Sequence, residues 1–389
     1  MKNKMFSDDQ GRESLQIIPV AGRRMIDRFI KVPWPIYKDD PHWVPPLTFE
    51  RKWHLSEKNP YFEHADFQAW IAWRGERVVG RISAQVDQLH LDRYNDATGF
   101  FGMLEAEDDP ETFRALLDAA EVWLRQKGML RIRGPFNLSI NDECGLLVEG
   151  FDSPPSIMLG HAPPYYGPRL EEQGYVKEQD LLAYRICPDD FPVDHVTALT
   201  KRAARRVKVR IVRRDHFDED LEIIRDIFND AWSQNWGFVP FTPAEFKELG
   251  KNLKMLVDFE FIRIAEVEGE PAAMIVMFPN INEVVQDLNG SLLPFGWLKL
   301  LWRLKVSRPK SARIPLMGVR RRYQGSSLGA ALALMVIAEL HVVARKRGIE
   351  EVDMSWILEQ NQGIRNIIES IGSSLYKRYR IYQKDFNQA

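Results

Sequence analysis

Met317-Gly-Val-Arg-Arg-Arg-Tyr-Gln-Gly-Ser-Ser-Leu-Gly-Ala-Ala-Leu332 reads as a strand that enters a tight Gly/Ser loop and leaves it as a helix. Such a loop points several backbone N–H groups at one spot, at the positive end of the helix, which suits a pyrophosphate. Gly325, Ser326, Ser327 and Gly329 are small, as close approach of a ligand to the backbone demands. The helix is apolar from Leu328 to Ala338 and closes with Arg345-Lys-Arg347 before Gly348, in accord with dipole and C-cap preferences. Upstream lie a strand over 209–212, a helix over 221–232, a hairpin of 261–266 with 272–278 across Glu268-Gly-Glu-Pro271, and a strand over 313–319. Downstream the pattern predicts a strand over 352–357, a helix over 363–371 and a strand over 380–384.

The first half repeats this order. Phe67–Trp73 and Arg77–Ala84 form a hairpin across Arg74-Gly-Glu76, and 98–104 is a further strand. Asp109 caps a helix with Pro110 at its first position and one apolar stripe through Phe113, Leu116, Leu117, Ala120 and Leu124. Strands over 129–133 and 181–186 follow, the second after a short helix. Leu170-Glu-Glu-Gln-Gly-Tyr175 aligns with Ile368-Glu-Ser-Ile-Gly-Ser373 as a weak internal repeat. The expectation is two tandem layered α/β domains, 14–190 and 191–389, each a mixed, mostly antiparallel sheet flanked by helices.

The loop segment resembles the acetyl-CoA loop of the GCN5-related N-acyltransferase (GNAT) superfamily, whose pattern is Gln/Arg-x-x-Gly-x-Gly/Ala. Gln324, Gly325, Ser326, Ser327, Leu328 and Gly329 fall on it in order, with Ser327 in place of the first glycine. The resemblance implies that Met317 and Val319 line an acyl-CoA co-substrate, and that a backbone N–H near Val319 holds the oxyanion. It also implies that Asn361 lies near the pantetheine arm. The tyrosine that often serves as general acid in the family is Ile368 here, so Tyr376 or Tyr379 is the candidate acid. The whole chain is similar to a bacterial group of tandem GNAT-like proteins linked to ceramide synthesis. The residues that carry this likeness are Asp40-x-x-Trp-Val-Pro-Pro46, Gly99-Phe-Phe-Gly102, Asn141-Asp-Glu143 and Arg380-Ile-Tyr382.

In the first half the equivalent loop is Glu105-Ala-Glu-Asp-Asp-Pro-Glu111, whose five carboxylates would repel a pyrophosphate. That half is expected to lack the CoA loop and to shape the second substrate's site. Its polar stretch 134–155 supplies Asn137 and the candidate catalytic residues Asn141, Asp142 and Glu143, to bind or deprotonate an amine; a structural loop held by Asx turns is the other reading. The aromatics of Val32–Tyr37 and His42–Leu47 either pin loops to a core or wall an apolar cleft. The segment 292–306 mixes Leu and Trp with Lys299, Arg303 and Lys305; it fits a membrane interface, a lid over an acyl tunnel, or a core helix.

A net charge of -2 argues against general nucleic-acid binding, although basic residues crowd 201–214. Two cysteines, Cys144 and Cys187, without metal spacing predict no metal and a reducing compartment. The charged first twenty residues carry no signal-peptide pattern, so a cytoplasmic protein, peripheral to the membrane at most, is expected. The leading functional expectation is an acyl-CoA-dependent N-acyltransferase acting on the amine of a lipid or long-chain acceptor. The alternatives are an aminoacyl-tRNA-dependent transferase of the peptidoglycan-bridge type and a non-catalytic membrane- or partner-binding module.

Overall fold

Thirteen strands form one continuous twisted sheet, and their order shows how the two halves of the chain combine. The computed structural model describes residues 13–386 except 304, 305 and 307, so Leu304 and Lys305 of the segment 292–306 lie outside the described residues. The strands are β1 (Leu15–Pro19), β2 (Ala65–Arg74), β3 (Arg77–Asp87), β4 (Thr98–Ala106), β5 (Arg131–Gly134), β6 (Leu146–Glu149) and β7 (Val176–Ile186) in the first half. The second half supplies β8 (Val207–Ile211), β9 (Ile262–Val267), β10 (Glu270–Pro279), β11 (Ser311–Val319), β12 (Glu351–Leu358) and β13 (Ser374–Asp385). Their order is β1-β2-β3-β4-β5-β13-β7-β12-β11-β10-β9-β8, with β6 pairing β13 off this path. Only β4–β5 and β11–β12 are parallel; the other pairs are antiparallel, and helices cover the sheet.

Each half thus runs through the same sequence of strands and then gives its last strand to the other. β13 pairs with β5 of the first half, and β7 pairs with β12 of the second. The exchanged strands pair with each other from Ser374↔Arg185 to Gln383↔Val176. A cut near residue 190 therefore divides the chain but not the sheet.

β13 is longer than its sequence suggests, because charges crowd it and hide its period. Those charges are matched inside the sheet. Arg380 Nε and Arg378 Nη1 donate to Asp180 at 2.8 and 3.2 Å, and Lys177 lies 3.0 Å from the same carboxylate, which is 1% exposed. Lys377, also 1% exposed, donates to the Gly150 carbonyl and to that of Ser153 at 2.8 Å.

The helix Pro110–Gln126 forms as expected: Asp109 accepts from the Thr112 N–H at 3.1 Å, and the predicted apolar stripe is buried on the sheet. Its counterpart Ser327–Arg347 has a mean hydropathy of 2.0 over its apolar window, enough to cross a membrane by composition alone. It packs on β9 and β10 as a core helix instead, with Leu332, Val336 and Leu340 buried.

Asp180→Ala would remove the carboxylate that Arg378, Arg380 and Lys177 share in the middle of the sheet, where breaking a buried ion pair costs about 3–5 kcal/mol. The expected outcome in urea is a lower midpoint with a single transition for both halves, since neither has a complete sheet without the other.

Candidate active site

The site begins where β11 and β12 part. Their parallel ladder runs from Ser311↔Glu351 to Ile314↔Met354 and then stops, although both strands continue to Val319 and Leu358. Pro315 is the next residue of β11, and it has no N–H to give to a ladder. The two strands open into a V with its vertex at Ile314 and Met354. The register on the other side of β11 fixes what faces the opening. Arg320 N–H donates to Ala272 O at 2.8 Å, so Gly318 and Leu316 bond to β10, and Met317 and Val319 turn their N–H groups into the V.

At the open end lies the Gly/Ser loop. Ser326 caps the helix Ser327–Arg347: its Oγ accepts from Gly329 N–H at 3.1 Å and donates to Tyr323 O at 2.6 Å. Gln324 fixes the loop by donating from Nε2 to Val319 O at 2.8 Å and Ala231 O at 3.0 Å. The N–H groups of Gly325, Ser327 and Leu328 have no acceptor among the described residues, and they sit at the positive helix end beside Arg321 and Arg322. That set fits a pyrophosphate. Gly329 serves a different purpose from the expected one. A Cβ there would lie 2.1 Å from Tyr323 O, so the glycine lets helix and loop touch rather than leaving room for a ligand. Asn361 caps the helix Gln362–Ser370 through its Oδ1, which accepts from Ile364 N–H at 3.3 Å.

Polar groups of both halves surround the vertex. Arg313, 1% exposed, donates to Ser355 Oγ and O at 3.0 Å each and to Ile157 O at 2.7 Å. Asp353 accepts from the Ser355 and Tyr376 hydroxyls, and burial raises its carboxyl. Burial and then Asp353 push the Tyr376 hydroxyl far above the usual tyrosine range; burial and the same carboxylate do so for Tyr379. Tyr379 is fully buried and its hydroxyl has no partner among the described residues. Arg313, Asp353 and Glu143 all act electrostatically on that hydroxyl, which puts the loop 137–143 in the same neighbourhood.

Within that loop the three candidate residues differ. Asn141 Nδ2 donates to Val239 O at 3.1 Å, tying the loop to the second half. Glu143 pairs with Arg51 and accepts from Asn137 Nδ2 at 3.1 Å; against the upward push of burial, Arg51 holds it below the usual carboxylate range. Asp142 is pushed up to about 7, by enclosure first and then by Glu245 and Glu143. It nevertheless keeps 38% of its side-chain surface open to water. His54 Nε2 is 3.9 Å from Asp142 Oδ1, and burial and Arg51 lower that ring to about 3, so it is neutral. Arg51, His54, Arg313 and Asp353 escape the sequence reading. Arg51 and Glu143 lie far apart in the chain with no pattern to link them, whereas Pro315 inside a strand pattern was a readable signal for the opening.

The equivalent V of the first half is filled by its own chain. β4 and β5 pair only from Thr98↔Arg131 to Phe100↔Arg133. Beyond that point Phe136 N–H donates to Phe101 O at 2.7 Å and Asn137 Oδ1 accepts from Met103 N–H at 2.7 Å. A Cβ on Gly102 would lie 1.7 Å from Phe136 O. The five carboxylates of 105–111 are each matched by an arginine: Arg81 for Glu105, Arg77 for Glu107, Arg169 for Asp108, and Arg74 for Asp109 and Glu111. They are neutralised in place, so filling of the V, more than charge repulsion, distinguishes this half. Part of the basic run at 201–214 is likewise structural. Arg210 and Arg213 both bond to the buried Asp220, and Arg206 pairs with Glu268.

The chain is 50% identical over 357 residues to Protein YghO of Escherichia coli K12, covering 92% of each chain. It is 45% identical over 386 residues to the bacterial ceramide synthase of Caulobacter vibrioides, covering 97% of this chain and 99% of that one. Among solved structures, it is similar to a tandem GNAT protein from the clavulanic acid biosynthesis pathway (TM-score 0.57, 13% identity, 97% of this chain and 100% of that one). It is also similar to a GCN5-related N-acetyltransferase from Sphaerobacter thermophilus (TM-score 0.51, 13% identity, 98% and 97%). No protein-family model matches the chain. The chain belongs to the family of tandem GNAT-fold proteins that includes YghO and the bacterial ceramide synthase, and its fold is that of the N-acyltransferases.

Ser327→Asp tests the phosphate assignment. An acidic residue in the first helical turn favours the helix, so the melting temperature should hold while the new charge meets the pyrophosphate. Calorimetry should then show CoA affinity at least about tenfold weaker; equal affinity would overturn the assignment.

Proposed function

We propose that this protein transfers an acyl group from acyl-CoA to the primary amine of a long-chain acceptor. The observation that carries the reading is the parting of β11 and β12 beside the three N–H groups of the Gly/Ser loop that have no acceptor among the described residues. The N–H groups of Gly325, Ser327 and Leu328 hold the CoA pyrophosphate. Met317 and Val319, whose N–H groups turn into the V, line the pantetheine arm and receive the thioester oxygen as charge develops on it. Asn361 stands at the same opening, its Nδ2 free to bond the arm while its Oδ1 caps a helix.

Asp142 is the base. A base works best when its pKa lies near the working pH, and Asp142 meets that condition where Glu143 does not. Glu143 stays ionised against Arg51 and, with Asn137, holds the loop in shape. Asn141 fixes the loop to the second half. As the amine nitrogen bonds to the thioester carbon, its proton passes to Asp142; the carbon–sulfur bond breaks and the sulfur takes a proton, leaving an amide and free CoA. Tyr379 is the candidate proton donor, because its hydroxyl has no hydrogen-bond partner among the described residues. Tyr376, committed to Asp353, orients that neighbourhood. The relative's name, bacterial ceramide synthase, supports an acceptor of the long-chain amino-alcohol class.

The direct test is palmitoyl-CoA with a sphingoid base, reading the N-acyl product by mass spectrometry against the CoA released; no product with any long-chain amine would overturn the reading. For Asp142, the base form must be present, so kcat should rise with pH through about 7 and level off above it. Asp142→Asn should remove that limb and lower kcat by about 10²–10⁴-fold with little change in CoA affinity.

A further inference from the structure

Seven of the eighteen exposed large apolar side chains among the described residues fall within one short stretch: Leu293, Phe295, Trp297, Leu298, Leu301, Trp302 and Val306. Their exposures run from 45% to 79%, and the helix Gly296–Trp302 buries no residue at all. A surface helix normally hides one face in the core. This one turns only the half-buried Leu300 onto Val284, Val285 and Leu288, and it stands on a firm base. Asp287 pairs with Lys299 and Arg303, and Arg303 Nη1 also donates to Val284 O at 2.8 Å. The first half's aromatic segment supports the same base. Trp34 Nε1 donates to Asn289 Oδ1 at 2.7 Å, Thr48 N–H to Gly290 O at 2.9 Å, and Gln286 Nε2 to Pro41 O at 3.1 Å. The residue after Thr48, Phe49, is 59% exposed and extends the apolar surface.

Charge selects the occupant. From Ser291 to Ala312 there are five basic residues, Lys299, Arg303, Lys305, Arg308 and Lys310, and no acidic one; Asp287 balances part of the charge of Lys299 and Arg303 and Glu350 pairs with Lys310, which leaves the segment with a net positive charge. Two tryptophans among leucines, edged by cations, match the headgroup boundary of a bilayer, where Trp is favoured and cations meet anionic lipid.

We infer that the segment 292–306 is an interfacial anchor that seats the protein on an anionic lipid surface. Its position relative to β11 gives the anchor an orientation. Glu283, at the base of the segment, accepts from Lys310 N–H and Ser311 N–H at 2.8 Å each, which fixes the start of β11. The Gly/Ser loop follows the other end of the same strand, roughly 30 Å away for nine residues. The vertex of the V lies between. The anchor therefore faces the lipid from one end of β11 while CoA enters from the other, a two-sided arrangement that rests on the acyl-transfer reading; binding to the lipid surface does not.

Sedimentation with vesicles tests this without any substrate. The probes are phosphatidylcholine vesicles and vesicles also containing phosphatidylglycerol. The full-length protein is compared with the double variant Trp297→Glu, Trp302→Glu, whose exposed positions leave the melting temperature unchanged. The protein should pellet with the anionic vesicles, and the variant should do so about tenfold less. The variant should also keep its turnover on a detergent-dispersed acceptor and lose it on one embedded in vesicles. Pelleting equal to that without vesicles, or undiminished in the variant, overturns the inference. So does a wild-type dimer that the variant dissolves without any vesicle binding, which would give the surface to a second copy of the chain.

Discussion

The exchange of β7 and β13 is the constraint on which the rest of the molecule hangs. Two strands from different halves lie side by side at the centre of the sheet, each completing the other half's ladder. Arg378, Arg380 and Lys177 share Asp180 there, with Glu149 and Glu359 as further partners of Arg378 and Lys177, and the Asp180 carboxylate, all but excluded from water, is held below its ordinary pKa despite burial. One carboxylate among three cations fixes register as well as energy, because a one-residue slip of β13 would turn the arginines to the other face. Tyr376 and Tyr379 lie on this exchanged strand, so both are positioned by β7 and β6 of the other half.

The same supersecondary unit occurs twice and does two things. In both halves a parallel strand pair opens after a few residues, near a proline: Pro315 in one, Pro135 in the other. In the first half the chain after Pro135 folds back into the opening, and Gly102 exists to let it in. In the second half no returning backbone pairs into the opening among the described residues, and Trp232 Nε1 donates to Met317 O at its edge at 2.9 Å. The returning loop of the first half then reaches the second half, with Asn141 bonded to Val239 O. One half has given up a cleft and become a wall of the other's.

Periodicity and turn chemistry made most of the elements legible: both hairpins, the capped helix Pro110–Gln126, the Gly/Ser loop with its helix, and the repeated order of strands. Short or charge-rich elements were not legible. β6 has four residues, and the first part of β13 alternates tyrosine with basic residues that only the buried Asp180 and the carbonyls of Gly150 and Ser153 make tolerable. The strand exchange could not be read either, since each half's pattern is satisfied by any neighbour of the right hand and polarity. At the candidate site, the Gly/Ser loop was local and therefore readable as a strand–loop–helix unit. Arg51 and His54 owe their role to a contact across the fold. The aromatic segment 32–47 and the segment 292–306 each looked like a separate oddity, and only the structure shows the first supporting the second.

The carboxyls of the 141–143 loop take their electrostatics from both halves. Asp142 and Glu143 are chain neighbours, yet one is raised to about 7 and the other depressed. The split arises because Arg51, from the first half, bonds directly to Glu143, while Glu245, from the second half, adds negative charge against Asp142. His54 does not undo this, since burial beside Arg51 keeps it neutral. Paired carboxyls with pKa values pushed apart are how one site supplies both a fixed anion and a titratable base. Here the pushing groups come from opposite halves, so the two carboxyls are driven apart only when β7 and β13 have crossed and the two halves are locked around the loop.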